Sequence, residues 1–390
     1  MKPHQPKIQC LLPSPRGYVP LDDLTSQAPM RLTRRGDPPA ADPGVSYGRY
    51  FEGVTDVMSQ DGYEPLVQAT SRQVGRDILL SDIDQILIHA EKHGSDYHPA
   101  RIEVVVGADR AAFVMNVAIT ARGKAWLCRE FEVLQGLNRR YSYRFLPQAY
   151  FQGEAFHESG SDKNTMLMFL ADWFQGYYEF HLSIDKRDGA QGLLVWDTEK
   201  SPYFLSRSQT REVYHQTSKM LTLYYDVETF EQIFPWHHAA GDFVVKADGE
   251  SIDVRLITAR QYTPMLDRSE GVSAHEALLF FLLNLSIRMR LDRLDGVGPV
   301  AWANDGCVQA TLEGFIEGLA IKEQREVIPG GFLDAFIRDI KSSSVEELSH
   351  GFHTLVDACD QLAPDIPVIR NHLKKHASKL HTIVQGLNDL

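Results

Sequence analysis

Two strand-forming runs, set a few residues apart, constrain this chain most. Arg101-Ile-Glu-Val-Val-Val is rich in β-branched residues, and Phe113-Val-Met-Asn-Val-Ala-Ile is a second such run. Gly107-Ala-Asp between them supplies a turn, so two neighbouring strands are expected. A helix is expected from about Lys124 to Leu137. Two more strand-like runs follow, from Phe145 to Phe151 and from Thr165 to Leu170. Upstream, Ile78, Leu79, Ile83, Ile86, Leu87 and Ala90 recur at helical spacing, which predicts an amphipathic helix ending at Gly94.

The second half changes character. Val213, Thr217, Met220, Leu221 and Tyr224 share one face of a helix expected over about 208–225. Two short strands, Phe243-Val-Val-Lys and Ile252-Asp-Val-Arg, are joined at Asp248-Gly249. From Ala274 onward the pattern is helical, with breaks near Gly296, Gly330 and Pro364. Prolines 13, 15, 20, 28, 38, 39 and 43 crowd the first 75 residues, which read as a mostly irregular arm. No repeat of 20–50 residues is present.

With 390 residues the chain is long enough for about two to three domains, or one two-lobed domain with extensions. A net charge of −12 disfavours a nucleic-acid partner, which needs a basic face. Ala277-Leu-Leu-Phe-Phe-Leu-Leu is far shorter than the roughly 20 apolar residues of a spanning helix, so it is expected to be a buried helix and no membrane partner is expected. Met1-Lys-Pro-His-Gln-Pro lacks the apolar core of a secretory signal. The cysteines at 10, 128, 307 and 359 are scattered without a CxxC pair. A cytoplasmic protein is therefore expected.

Several familiar sites are missing. There is no GxxxxGK[ST] or GxGxxG phosphate cradle and no GxSxG elbow. His275-Glu276 opens like a zincin motif, but position 279 is Leu.

The order of elements resembles that of the protein-kinase-like superfamily. Phe113-Val-Met-Asn-Val followed by Arg129-Glu-Phe-Glu-Val-Leu resembles its third strand and regulatory helix. Leu146-Pro-Gln-Ala-Tyr-Phe-Gln-Gly-Glu is similar to the "LPxVYxxGE" segment of aminoglycoside phosphotransferases and choline kinases, and Met166-Leu-Met-Phe-Leu-Ala-Asp-Trp to their fifth strand and hinge. Trp236-His-His-Ala-Ala-Gly-Asp-Phe-Val-Val resembles their catalytic loop "HGDxHPGNxLV", and Ile252-Asp-Val their "IDW/IDF" metal motif. The resemblance spans roughly residues 78–295.

It implies an α+β, two-lobed fold: an irregular arm (1–75), a small antiparallel-sheet lobe (76–172) and a larger helical lobe with a C-terminal extension (173–390). It implies ATP with Mg²⁺ between the lobes, the metal held by Asp242 and Asp253. These two are eleven residues apart, which needs a tight hairpin. The family's catalytic Asp is replaced by His237, an atypical general base, and its phosphate-binding Lys by Asn116. Lys124 and Lys246 are substitute cations, and Arg255 another. Glu130 shares a face with Trp126, Val133 and Leu137, and so points inward in preference to Glu132. Tyr177-Tyr-Glu-Phe-His-Leu is placed to wall the ligand. The helix end from Arg288 to Arg293, with its alternating charges, reads as a salt-bridged surface.

The function expected on this footing is phosphoryl transfer to a small-molecule hydroxyl. The alternative is a catalytically degenerate kinase fold acting as a binding or regulatory module. A third reading uses His237, with Asp242, Asp253 or His215, in a metal-dependent enzyme; the adjacent His238 projects in a different direction. A small-molecule or nucleotide ligand is the expected partner, with a protein partner possible through the arm.

Overall fold

The computed structural model describes residues 5–14, 17–30, 45–91, 97–159, 162–237, 241–267 and 271–387. The fold is mixed α and β and divides into two compact units, Met1–Gln175 and Gly176–Leu390.

The first unit is built on one seven-stranded sheet. In chain order it holds β1 (Lys7–Ser14), β2 (Gly17–Pro20), α1 (Asp23–Ser26), α2 (Tyr47–Met58), α3 (Glu64–Val74), β3 (Gln85–Ala90), β4 (Ala100–Val106), β5 (Asp109–Ala118), α4 (Ala121–Arg140), β6 (Ala149–Ser159) and β7 (Asp162–Asp172). The strand order is β2-β1-β3-β4-β5-β7-β6. Only the β1–β3 pair is parallel. Alternation decides the faces: Ile86 and Ile88, Ile102 and Val104, and Phe113, Met115 and Val117 all turn into one core. Phe51, Val54, Val57 and Leu66 of α2 and α3 complete that core. α4 packs against the sheet through Phe131, whose ring lies 5.7 Å from that of Phe169 on β7.

This corrects two expectations. The first 75 residues are not an irregular arm, although 1–4, 15–16 and 31–44 lie outside the described residues. Tyr50, Phe51, Val54, Val57 and Met58 form a helical stripe that is fully buried. Ser46 caps the start of α2 by accepting from the Arg49 N–H. Residues 78–90 are not a helix either. They form a short 3₁₀ turn and then β3, with Ile86, Ile88 and Ala90 buried on one face. Pairing with β1 on one side and β4 on the other overrides the local period. The strands over 113–119 and 165–170 do lie in one sheet, paired directly as β5 and β7.

The second unit is not simply helical. It opens with β8 (Tyr178–Ile184), β9 (Gln191–Val195), β10 (Tyr203–Phe204) and α5 (Arg207–Tyr224). Then come β11 (Glu231–Ile233), β12 (Phe243–Asp248), β13 (Ser251–Leu256), β14 (Tyr262–Pro264) and α6 (Ala274–Arg288). A ribbon of β15 (Leu291–Arg293) and β16 (Val300–Trp302) precedes α7 (Gly306–Gln324), α8 (Phe332–Ser342), α9 (Val345–Asp357) and α10 (Ile366–Gln385). β10-β9-β8-β12-β13 form a five-stranded antiparallel sheet that the sequence reading missed beyond its β12–β13 hairpin. β11 pairs with β14 in a separate ribbon.

α6 carries the apolar run, started by a capping box between Ser273 and Glu276, and buries Leu278, Phe281, Leu282 and Leu285. Among the described residues no helix is long and apolar enough to cross a membrane. α5 and α7 approach closely through Gly314 and Gly318. The Lys322 ammonium of α7 donates to the Leu223 and Tyr225 carbonyls at the end of α5. The stretch from Arg288 to Arg293 is salt-bridged, Arg288 to Asp365 and Arg290 to Asp305, but it is not all surface. Arg290 and Asp292 are 4% and 1% exposed: Asp292 lies in β15, and the Arg290 guanidinium just before it donates to the Ala303 carbonyl.

Candidate functional site

β11 ends at Ile233, and the loop that follows returns to the sheet at β12. Trp236 anchors it, buried edge-on against Phe243 at 5.7 Å. Asp242 closes it. One carboxylate oxygen accepts the His237 backbone N–H at 2.8 Å, and the Asp242 carbonyl accepts from the Ile257 N–H. Arg260 grips the same carboxylate with both guanidinium nitrogens, at 2.9 and 2.7 Å. Asp242 is only 2% exposed, so its charge requires a partner, and a bidentate guanidinium is the strongest neutral pairing available. Gly241 precedes it at φ 72°, and a Cβ there would meet Glu179 Oε1 at 2.9 Å. The left-handed backbone favours glycine at this point, and a side chain would also have to push the Glu179 carboxylate aside.

His237 sits beside this pair. Burial pushes its pKa down, the Arg288 guanidinium adds to that, and Asp242 and Asp365 only partly oppose it. Arg288 itself pairs with Asp365 at 2.9 Å and stacks over Phe234. The imidazole is therefore neutral near pH 7, in surroundings that resist protonation. His238 lies outside the described residues.

Asp253 is elsewhere on the hairpin. It stands opposite Lys246, while Phe243 stands opposite Leu256. Asp242 is thus four residues along β12 from the Lys246 level, roughly 13 Å at about 3.3 Å per residue. Asp253 accepts from the Tyr177 hydroxyl at 2.6 Å and pairs with Arg255 at 2.7 Å. Lys246 is exposed, 6.0 Å from the Tyr177 ring. The Mg²⁺ site implied by the resemblance does not fit these residues. Mg²⁺ needs oxygens at about 2.1 Å, yet one carboxylate is committed to Arg260 and the other is a hairpin's length away. His215 is drawn to Glu317 at 2.8 Å, not to His237. Among the described residues no group of three His, Cys, Asp or Glu side chains could hold a metal ion.

The other candidates belong to the first unit. Asn116 is half-buried on β5, opposite Phe169. Lys124, in the first turn of α4, donates to Thr165 at 2.7 Å. Glu130 is buried on the same face as Leu127, Leu134 and Leu137, whereas Glu132 is exposed.

A second polar centre, in the second unit, carried no signal in the sequence beyond its place in Tyr177-Tyr-Glu-Phe-His-Leu. His181 is 2% exposed, with Nδ1 3.3 Å from Asp292 and Nε2 3.8 Å from Glu179. Asp292 also accepts the Leu182 and Arg293 backbone N–H groups at 2.7 and 2.6 Å. Burial works against the imidazolium, but the two carboxylates outweigh it and raise the His181 pKa from 6.5 to about 8. A raised pKa stabilises the fold at low pH and ceases to do so above the folded value. Unfolding free energy measured in urea should therefore fall by about 2 kcal/mol as pH rises from 6 to 9. In His181→Asn that fall should vanish; an equal fall in the variant would assign it to another group.

No protein-family model matches the chain, and comparison with curated proteins finds no match.

Proposed function

We propose that this chain has a protein-kinase-like fold used as a binding module, one that takes a nucleotide or a similar phosphorylated ligand without transferring a phosphoryl group. The observation that carries the fold is the strand order β3-β4-β5-β7-β6 with α4 inserted between β5 and β6. A kinase-like small lobe has this order, its fifth strand running between the third and fourth and its helix following the third. In the second unit, α5 is followed by a loop and then the β12–β13 hairpin, an order the resemblance expects.

Three observations favour the non-catalytic form. Arg260 neutralises Asp242, where a kinase would use a cation-binding side chain. Burial first, and then the Arg288 and Arg260 guanidiniums, weaken His237 as a base. Asn116 offers no charge to a phosphate. The ligand class rests on the resemblance alone.

The test is a thermal shift of the full chain with millimolar ATP, once with Mg²⁺ and once with a chelator, alongside an assay for ADP. The expected result is the same rise in melting temperature in both, following RT ln(1 + [L]/Kd), with no ADP released. A rise only with Mg²⁺, or ADP release lost in His237→Asn, would restore the phosphotransferase. No rise in either condition would exclude nucleotides as the ligand.

A further inference from the structure

The last two helices carry opposite charge. α9 exposes Glu346, Glu347 and Asp357, with His350 and His353 between them, and has no Lys or Arg along its length. α10 has no Asp or Glu in its 20 residues. Its charged residues are Arg370, Lys374 and Lys375, which are exposed, and Lys379, which is half-buried. In a chain of net charge −12 this helix is a local reversal of sign. The apolar stripes of both helices face the core, with Phe352 and Leu355 buried on α9 and Leu373 and Leu380 on α10, so the charged arcs point outward.

The two helices lie side by side and antiparallel. Asp357, at the end of α9, meets Arg370 near the start of α10, and the Phe352 ring lies 5.0 Å from that of His376 further on. Within one chain the charges are mostly unmatched. Of the four cations on α10, Arg370 alone makes an ion pair among the described residues, with Asp357 at 3.4 Å. Glu347 is occupied by the Ser344 cap, and Glu346 has no ion-pair partner among the described residues.

A negative helix beside a positive one is its own complement. A two-fold axis parallel to the pair lays α9 of a second copy over α10 of the first, and α10 of the second over α9 of the first. The same attraction is then made twice. That axis also brings together the two α9–α10 turns, where Leu362 is 93% exposed. Other anionic partners suit this face less well. A helix that lies on a membrane needs an exposed apolar face, and that of α10 is buried. A nucleic acid would be repelled by the α9 carboxylates alongside. α9 is about 20 Å long and two helices abreast are about 20 Å wide. Each copy would therefore cover about 400 Å², half the usual share of a stable interface. We propose that the outer face of the α9–α10 pair is the interface of a weak, symmetric dimer of this chain. This holds whether or not the chain binds a nucleotide, and the test is run without one.

Sedimentation of the full chain at low salt, where surface charges are least screened, measures the association. The average mass should rise with concentration from that of one chain toward that of two. One variant combines Lys374→Glu, Lys375→Glu and Lys379→Glu, and a second combines Glu346→Lys and Asp357→Lys. Each should self-associate at least about tenfold more weakly, because attraction across the interface becomes repulsion in both of its halves. The second variant has a smaller net charge than the original chain, so repulsion between whole chains predicts the opposite for it. Mixed in equal amounts, the two variants should recover the dimer, since every helix then faces its opposite. Circular dichroism checks that both fold. A chain that stays monomeric up to millimolar concentration overturns the proposal. So does unchanged association in both variants, or a mixture that associates no better than its components.

Discussion

Arg260→Met should lower the unfolding free energy by about 3 kcal/mol, because it strands a carboxylate that is 2% exposed. Breaking a buried pair from one side costs about 3–5 kcal/mol, and the low end applies here since Arg260 is itself one-third exposed. Adding Asp242→Asn to Arg260→Met should restore most of the loss, since no charge is then left unpaired. Urea denaturation of the two single variants and the double variant measures this coupling directly. The same series tests the metal question. If Asp242 can serve as a cation site, millimolar Mg²⁺ should rescue Arg260→Met selectively. The expectation is no rescue, because Asp253 is too far along the hairpin to complete the site.

A second large effect should come from adding a single methyl group. A Cβ at Gly314 would lie 2.1 Å from the His215 carbonyl oxygen and 3.1 Å from the Lys219 nitrogen, both backbone atoms of α5. Neither can swing aside as a flexible side chain can. Gly314→Ala must push α5 and α7 apart, and overpacking of this kind costs about 1–3 kcal/mol, or more. The gain in helix propensity, about 1 kcal/mol, does not offset it. A melting temperature lower by several degrees is expected. Gly136→Ala in α4 should move the other way, by about 0.5–1 kcal/mol, since nothing lies within 4 Å of a Cβ there. If both substitutions stabilise, the close approach of α5 and α7 is not real.

Where local pattern and final structure agree, one residue period served one environment. The buried Ile102, Val104 and Val106 alternate along β4, and Val213, Thr217 and Met220 repeat along α5. Residues 83–90 misled because Ile83, Ile86, Leu87 and Ala90 also suit a helix, and the deciding contacts come from β1, far away in sequence. Prolines clustered between 13 and 43 obscured the apolar stripe of α2, which begins only after them. The loop residues His237 and Asp242 were legible as a string, but their chemistry was not. Arg260, which decides what Asp242 can do, is eighteen residues further on and reaches it only through space. Eleven residues between Asp242 and Asp253 could place them side by side or at different levels of a hairpin, and the ladder register chose the second.

The parallel pairing of β1 with β3 also bears on how the chain is made. Lys7 through Leu11 pair with Gln85 through His89, partners 78 residues apart. At about 5–20 residues per second, β1 emerges from the ribosome roughly 4–16 s before the strand it must join. Among the described strands, β2 is the one available to it in that interval. β3, β4 and β5 are neighbours in sequence and can zip together as soon as they appear, whereas β1 must be captured afterwards from a distance. The core they share runs from Leu12 to Leu170, so it closes only once β7 has been synthesised. β1 is thus made well before it can be secured, and this edge of the sheet is where a nascent chain is longest open to a wrong partner.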